Sequence, residues 1–302
     1  MMTMMKRPLR VNAKSRPGAL PLPANRDVAA LTKSDVLDRW TADAAGVRPA
    51  AVAPGDNVIT MFDVIGEDVW SGGGITAKKV GAQLRAIGER PVEVQINSFG
   101  GDMFEGIAIY NVLREHPQDI TVKIMGMAAS AASVIAMAGD RIEIGVASFL
   151  MIHNCWVVAV GNRHDMAETA AWLQPFDQAM AAVYATRTGA DEKQIAKWMD
   201  AETFMSGAAA IEHGFADALL AADQVTHDEE ARASDRKLNE VRGMELSLVA
   251  AGLSRGEARA RINRIKGGGT PGAAADLDNP TPGAGDSELV GALAGLLRTI
   301  RS

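Results

Sequence analysis

From Asn57 onward the chain alternates two textures with short gaps between them, and this alternation limits the folds open to it. NVITMFDVI (57–65), PVEVQI (91–96), ITVKIMG (120–126), RIEIG (141–145) and FLMIH (149–153) are short apolar runs rich in β-branched residues. That is the pattern of buried strands. Between them, TAKKVGAQLRAIG (76–88) and MFEGIAIYNVLREH (103–116) have helical spacing, with Val80, Leu84 and Ile87 on one face. Strand and helix in alternation, joined by short connections, predict an α/β fold in which helices flank a mainly parallel sheet. Functional sites in such sheets gather where a strand ends and a helix begins. SFGGD (98–102) and GMAAS (126–130) are two junctions of that kind.

The flanks read differently. Lys6, Arg7, Arg10, Lys14 and Arg16 precede any acidic residue, and prolines recur at 8, 17, 21, 23, 49 and 54. Residues 1–55 are therefore expected to form a flexible, basic, proline-rich extension, with short helical character around Lys33 to Asp43. The folded domain is expected over 56–222. It should include a long helix from Asp165 to Thr188 and shorter ones at 191–199 and 206–213. A charged helical extension follows over 223–266, then a Gly/Pro linker over 267–286. The segment 287–302 has Leu289, Leu293, Leu296, Leu297 and Ile300 on one face of an amphipathic helix.

A net charge of −6 gives no general reason to expect a nucleic-acid partner. One cysteine, Cys155, excludes an internal disulfide framework. The small-apolar run from Met127 to Ala138 is too short to cross a bilayer, and MMTMMKRPLR lacks the apolar stretch of a secretory signal. A cytoplasmic protein with no membrane partner is expected. Nothing in the sequence asks for a cofactor or a metal.

The chemistry centres on IMGMAASAASVIAMAGD (124–140), nearly all small and apolar but with Ser130 and Ser133 inside it. A serine nucleophile needs a base, a group to orient the base, and donors for the developing oxyanion. Of five histidines, His116 reads as a helix C-terminal cap, His164 and His213 flank polar turns, and His227 lies in charged sequence. His153 ends an apolar strand, where a ring without a polar partner would be costly. Alone, Ser130 is more often a helix cap than a nucleophile, His153 more often a satisfied core residue than a base, and Gly100–Gly101 equally an ordinary tight turn.

Taken together, INSFGGDMFEGIAIYN, GMAASAASVIAMAGD, FLMIHN and ETFMSGAAAIEHGFAD resemble the proteolytic subunit of the Clp protease. The likeness is nearest to the Clp-related head maturation proteases of phages and prophages, and covers roughly 56 to 221. It implies a ClpP/crotonase-type sheet with a protruding handle. It also implies Ser130 as nucleophile, His153 as general base, and the N–H groups of Gly101 and Ala131 as the oxyanion hole. The third member falls on Glu202, with Asp200 as the alternative.

Phe99 stands where the family has proline, and is expected to border the substrate groove with Gly100. Asn154 and Cys155 also depart from the pattern, and no Cys–His dyad is expected. Val157, Val158 and Val160 around Gly161 would form the handle strand, where substrate adds as a further strand.

The resemblance further implies a protein or peptide substrate, capsid or scaffold protein in a phage setting, and a homo-oligomeric ring or double ring. It would place the protein in the bacterial cytoplasm, including inside proheads. An AAA+ ATPase partner is compatible but not indicated. Two other functions compete: an acyl-CoA hydratase or isomerase of the crotonase type, and a catalytically weak scaffold. A Ser–Lys peptidase would need a lysine base, and none occurs between Lys123 and Lys193.

Overall fold

The computed structural model describes residues 29–30, 32–49, 56–220 and 226–266. Two compact units divide the chain, 1–259 and 260–302, and of the second only 260–266, the end of one helix, is described. The expected linker (267–286) and terminal helix (287–302) lie outside the described residues.

The elements run β1 (Ala29–Ala30), α1 (Ser34–Asp43), β2 (Val47–Arg48), β3 (Val58–Met61), α2 (Ala77–Ile87), β4 (Val92–Ser98), α3 (Met103–Arg114), β5 (Ile120–Ala129) and α4 (Ala131–Ala136). They continue with β6 (Arg141–Ile144), β7 (Phe149–Ile152), β8 (Val157–Val158), α5 (Arg163–Thr188), α6 (Glu192–Asp200), β9 (Thr203–Ser206), α7 (Gly207–Glu212), β10 (Ala218–Leu219), β11 (Thr226–His227), α8 (Glu229–Ala250) and α9 (Arg255–Lys266).

The main sheet is mainly parallel, in the order β10-β6-β5-β4-β3, with β7 on the second half of β5 and β9 antiparallel to β7. The α/β expectation is met. β5 serves two neighbours in turn: Thr121–Ile124 pair with β6, and Met127–Ala129 with β7. This ten-residue central strand ends at Ala129, immediately before Ser130. Local chemistry fixes the helix limits. Thr76 caps α2 by accepting from the Lys79 N–H, and Gly88 at φ 73° ends it. Asp102 caps α3 through the Phe104 and Glu105 amides.

Two expectations about the flanks need correction. Residues 32–49 are not a flexible arm. Val36, Leu37 and Trp40 form a buried stripe on α1 and pack with Phe99, Met127 and Met151 in a second core cluster. Asn97, fully buried, ties this layer down: its Oδ1 accepts from Trp40 Nε1 (3.0 Å) and the Met127 amide (3.1 Å), and its Nδ2 donates to Ala44 O (2.9 Å). A buried amide with its donors and acceptors so used is a strong registration device.

Residues 226–259, the described start of the expected charged extension, are helical but belong to the body. β11 pairs with β2, Asp235 binds Arg48 at 2.9 Å, and Asn239 donates to Thr41 at 2.8 Å. Arg242 reaches Asp63 (2.7 Å) and Asp68 (2.5 Å), holding the loop that leads into α2. Desolvation opposes ionisation of Asp68, but Arg242 outweighs it and leaves the carboxyl below its usual range.

Candidate active site

Ser130 sits between β5 and α4 at φ 56°, ψ −126°, a backbone conformation that an L-residue adopts only under constraint. The constraint comes from both sides. Its amide donates to Met151 O on β7 (3.0 Å), and its carbonyl accepts from the Ser133 amide (2.9 Å) and the Ser133 hydroxyl (2.6 Å). Ser133 is fully buried and its Oγ also lies 2.8 Å from the Tyr184 phenol oxygen, so its contacts hold the turn. No side-chain cap bond is made by Ser130 on α4, so the helix-cap alternative finds no support.

The Ser130 hydroxyl instead meets His153, with Oγ 2.7 Å from Nε2. His153 lies one residue beyond β7 and is 6 % exposed. Burial pushes its pKa down, Glu202 pulls it up, Lys33 lowers it and Asp35 raises it, leaving it at about 4. The ring is therefore neutral at pH 7, the form that can accept a proton from serine.

Ile152 faces Thr203 at the end of the antiparallel β7–β9 pair, and His153 and Glu202 are the next residues beyond it on either side. Of the carboxylates that act on the His153 ring, Glu202 acts most strongly. Asp200 is turned to Asn154, whose Nδ2 donates to it at 2.8 Å. Glu202 has φ 50°, and its Oε1 lies 2.5 Å from Lys33 Nζ. No local pattern points to Lys33: it precedes Glu202 by 169 residues and belongs to the segment that reads as a flexible arm.

Gly101 and Ala131 line one recess with Ser130, His153, Met103, Asn154, Cys155, Trp156, Val157 and Met180. Gly101 has φ 147°, and a Cβ on it would stand 2.1 Å from Ile65 O, so only glycine permits this turn. Gly100 (φ 93°) lies behind the nucleophile rather than in the recess, where a Cβ would come within 2.7 Å of Ser130 Cβ. Phe99 does not border the groove as expected. Its ring is 2 % exposed, edge-on to Trp40 (centroids 5.4 Å) and under the Arg242 guanidinium (5.1 Å). The apolar cluster beneath α1 draws it inward.

Cys155 shares the recess but is no rival nucleophile. Burial and the Asp177 carboxylate push its thiol well above the usual range. His116, expected as a simple cap, is buried with Nε2 2.8 Å from Arg90 O. Among the described residues no group of three or more His, Cys, Asp or Glu is placed to hold a metal ion, and no helix is long and apolar enough to cross a membrane.

The Clp protease family model matches residues 74–223. The ATP-dependent Clp protease proteolytic subunit of Ligilactobacillus salivarius is 30% identical over 134 residues, 44% of this chain and 68% of that protein. The chain belongs to the Clp protease family. The subunit of the same name from Deinococcus radiodurans is 28% identical over 134 residues, 44% of this chain and 66% of its own length. The match to these Clp subunits thus spans about two thirds of each. The helices α1 and α8 lie outside the stretch matched by the Clp model.

Proposed function

We propose that this Clp family member is a serine endopeptidase acting through an acyl-enzyme. The observation that carries the reading is the 2.7 Å contact between Ser130 Oγ and a buried His153 Nε2, on a positive-φ turn at the end of the central strand. Oγ would attack the scissile carbonyl carbon while Nε2 takes its proton. The tetrahedral oxyanion would receive hydrogen bonds from the Gly101 and Ala131 amides, which line the same recess. The imidazolium, stabilised by Glu202, returns its proton to the leaving amine, and water then opens the acyl-enzyme by the reverse sequence. Asp200, held by Asn154, is the alternative acid. No step requires a cofactor.

The segments beyond the matched stretch favour a processing role over general turnover: capsid or scaffold protein cleaved during phage head maturation, by a homo-oligomeric ring in the bacterial cytoplasm or prohead. One comparison tests both levels. A fluorophosphonate should label the wild-type chain at Ser130 and leave Ser130→Ala unlabelled. Mass spectrometry of the two chains co-expressed with neighbouring capsid genes should show cleaved capsid or scaffold protein for wild type alone. Labelling at Ser133 would overturn the nucleophile; labelling at Ser130 with uncut capsid proteins would overturn the substrate.

A further inference from the structure

A peptide cut at Ser130 must place its carbonyl between the serine and the Gly101 amide, so its flanks run along residues 154–158. There β8, four residues beyond His153, offers a strand edge beside the recess. Extended peptides commonly bind by adding a strand to such an edge.

That edge is already taken. β1 pairs antiparallel with β8, Ala30 opposite Val157 and Ala29 opposite Val158. From this register the chain heads back along β8 towards His153, and at Lys33 it contacts Glu202, Nζ to Oε1 2.5 Å. Lys33 is three positions on from Ala30, a reach of at most about 11 Å. The segment is thus fixed at both ends against the site: the strand edge on one side, the acid beside His153 on the other. It is also anchored behind, because α1 begins at Ser34 and buries Val36, Leu37 and Trp40.

We propose that β1 (Ala29–Ala30) and Lys33 act together as an autoinhibitory strap: β1 occupies the β8 edge as a substrate strand would, and Lys33 draws Glu202 into an ion pair that competes with its service to His153. The inference rests on the peptidase reading. It specifies the substrate as an extended peptide antiparallel to β8, admitted when the strap is displaced. Lys33 is a positioning residue here, acting through Glu202.

The test uses the full chain. Fluorophosphonate labelling of Ser130 and hydrolysis of a short fluorogenic peptide are measured for wild type, Lys33→Ala, Lys33→Arg and Ala29→Pro/Ala30→Pro, whose prolines cannot donate to a ladder. The ion pair is partly exposed, 24 % and 38 %, so its loss in Lys33→Ala should raise both rates about two- to fivefold. The proline pair should lower the KM for peptide, and Lys33→Arg should resemble wild type. On wild-type protein, a peptide boronate bound at Ser130 should speed hydrogen exchange at the Ala29 and Ala30 amides. Unchanged exchange there, or a lower rate in Lys33→Ala, overturns the strap even if a variant folds poorly. Absence of labelling in every chain would instead overturn the nucleophile, and the two failures are told apart by whether Ser130 reacts at all.

Discussion

The pKa of His153 has a consequence that can be measured in two ways. The descent from 6.5 to about 4, at about 1.4 kcal/mol per pH unit, corresponds to about 3 kcal/mol of preference for the neutral ring in the folded chain. Burial is the largest cause, and His153 is 6 % exposed. Between pH 6.5 and 4 the unfolded chain binds a proton that the native ring declines. Stability should therefore fall as the pH is lowered through this window, and this contribution should level off below about 4.

Reactivity should follow the same titration. The rate at which a fluorophosphonate labels Ser130 should stay flat from pH 8 to about 5 and reach half its plateau near 4, with tryptophan fluorescence confirming the native fold at each point. Removing the cation in Lys33→Ala should move the midpoint up, and Glu202→Gln should move it down, because the two charges act on the ring with opposite signs. Urea unfolding of wild type against His153→Asn isolates the stability term from other acid-titrating groups. A labelling midpoint near 6.5, or equal pH slopes for the two chains, would refute the desolvated, neutral histidine.

Two more outcomes follow from the geometry. Glu202→Gln should reduce peptide turnover more than Asp200→Asn, since the Glu202 charge acts on the His153 ring while Asn154 engages Asp200; the reverse ranking in steady-state kinetics would transfer the role to Asp200. Light scattering on the purified chain should return a multiple of 31.8 kDa, and a monomer mass would refute the ring.

The parallel sheet was legible because its strands are short, apolar and bounded by turn residues, a signal that depends only on local pattern. The helix limits were close for the same reason: Thr76, Asp102 and Gly88 act on their own neighbours. Ser130 and His153 were legible in a different way. Each has an innocent reading alone, and only the four motifs in order joined them. What the sequence hid was long-range. Phe99 reads as a groove residue from its place beside the double-glycine turn, yet Trp40 and Arg242, far away in the chain, bury it.

Residues 32–49 show the same limit more sharply. Proline and basic charge describe the sequence before it, whereas the structure of 32–49 is decided by three side chains, Val36, Leu37 and Trp40, and by a buried asparagine on β4 that receives the Trp40 N–H. A ten-residue helix is marginal in isolation, so its order comes from the surface it covers. Once α1 is docked, Lys33 at its start is held near Glu202, and a residue that looked like part of a solvated tail becomes a charge acting on His153. Helices outside the matched stretch therefore reach the site from both termini: α1 presents Lys33 to the acid, and α8 sends Arg242 to Asp63, Asp68 and the ring of Phe99, directly beneath the Gly100–Gly101 turn in sequence. The Ser130–His153 contact is built on strands within the matched stretch, while the charge beside Glu202 and the footing of the Gly100–Gly101 turn come from helices outside it.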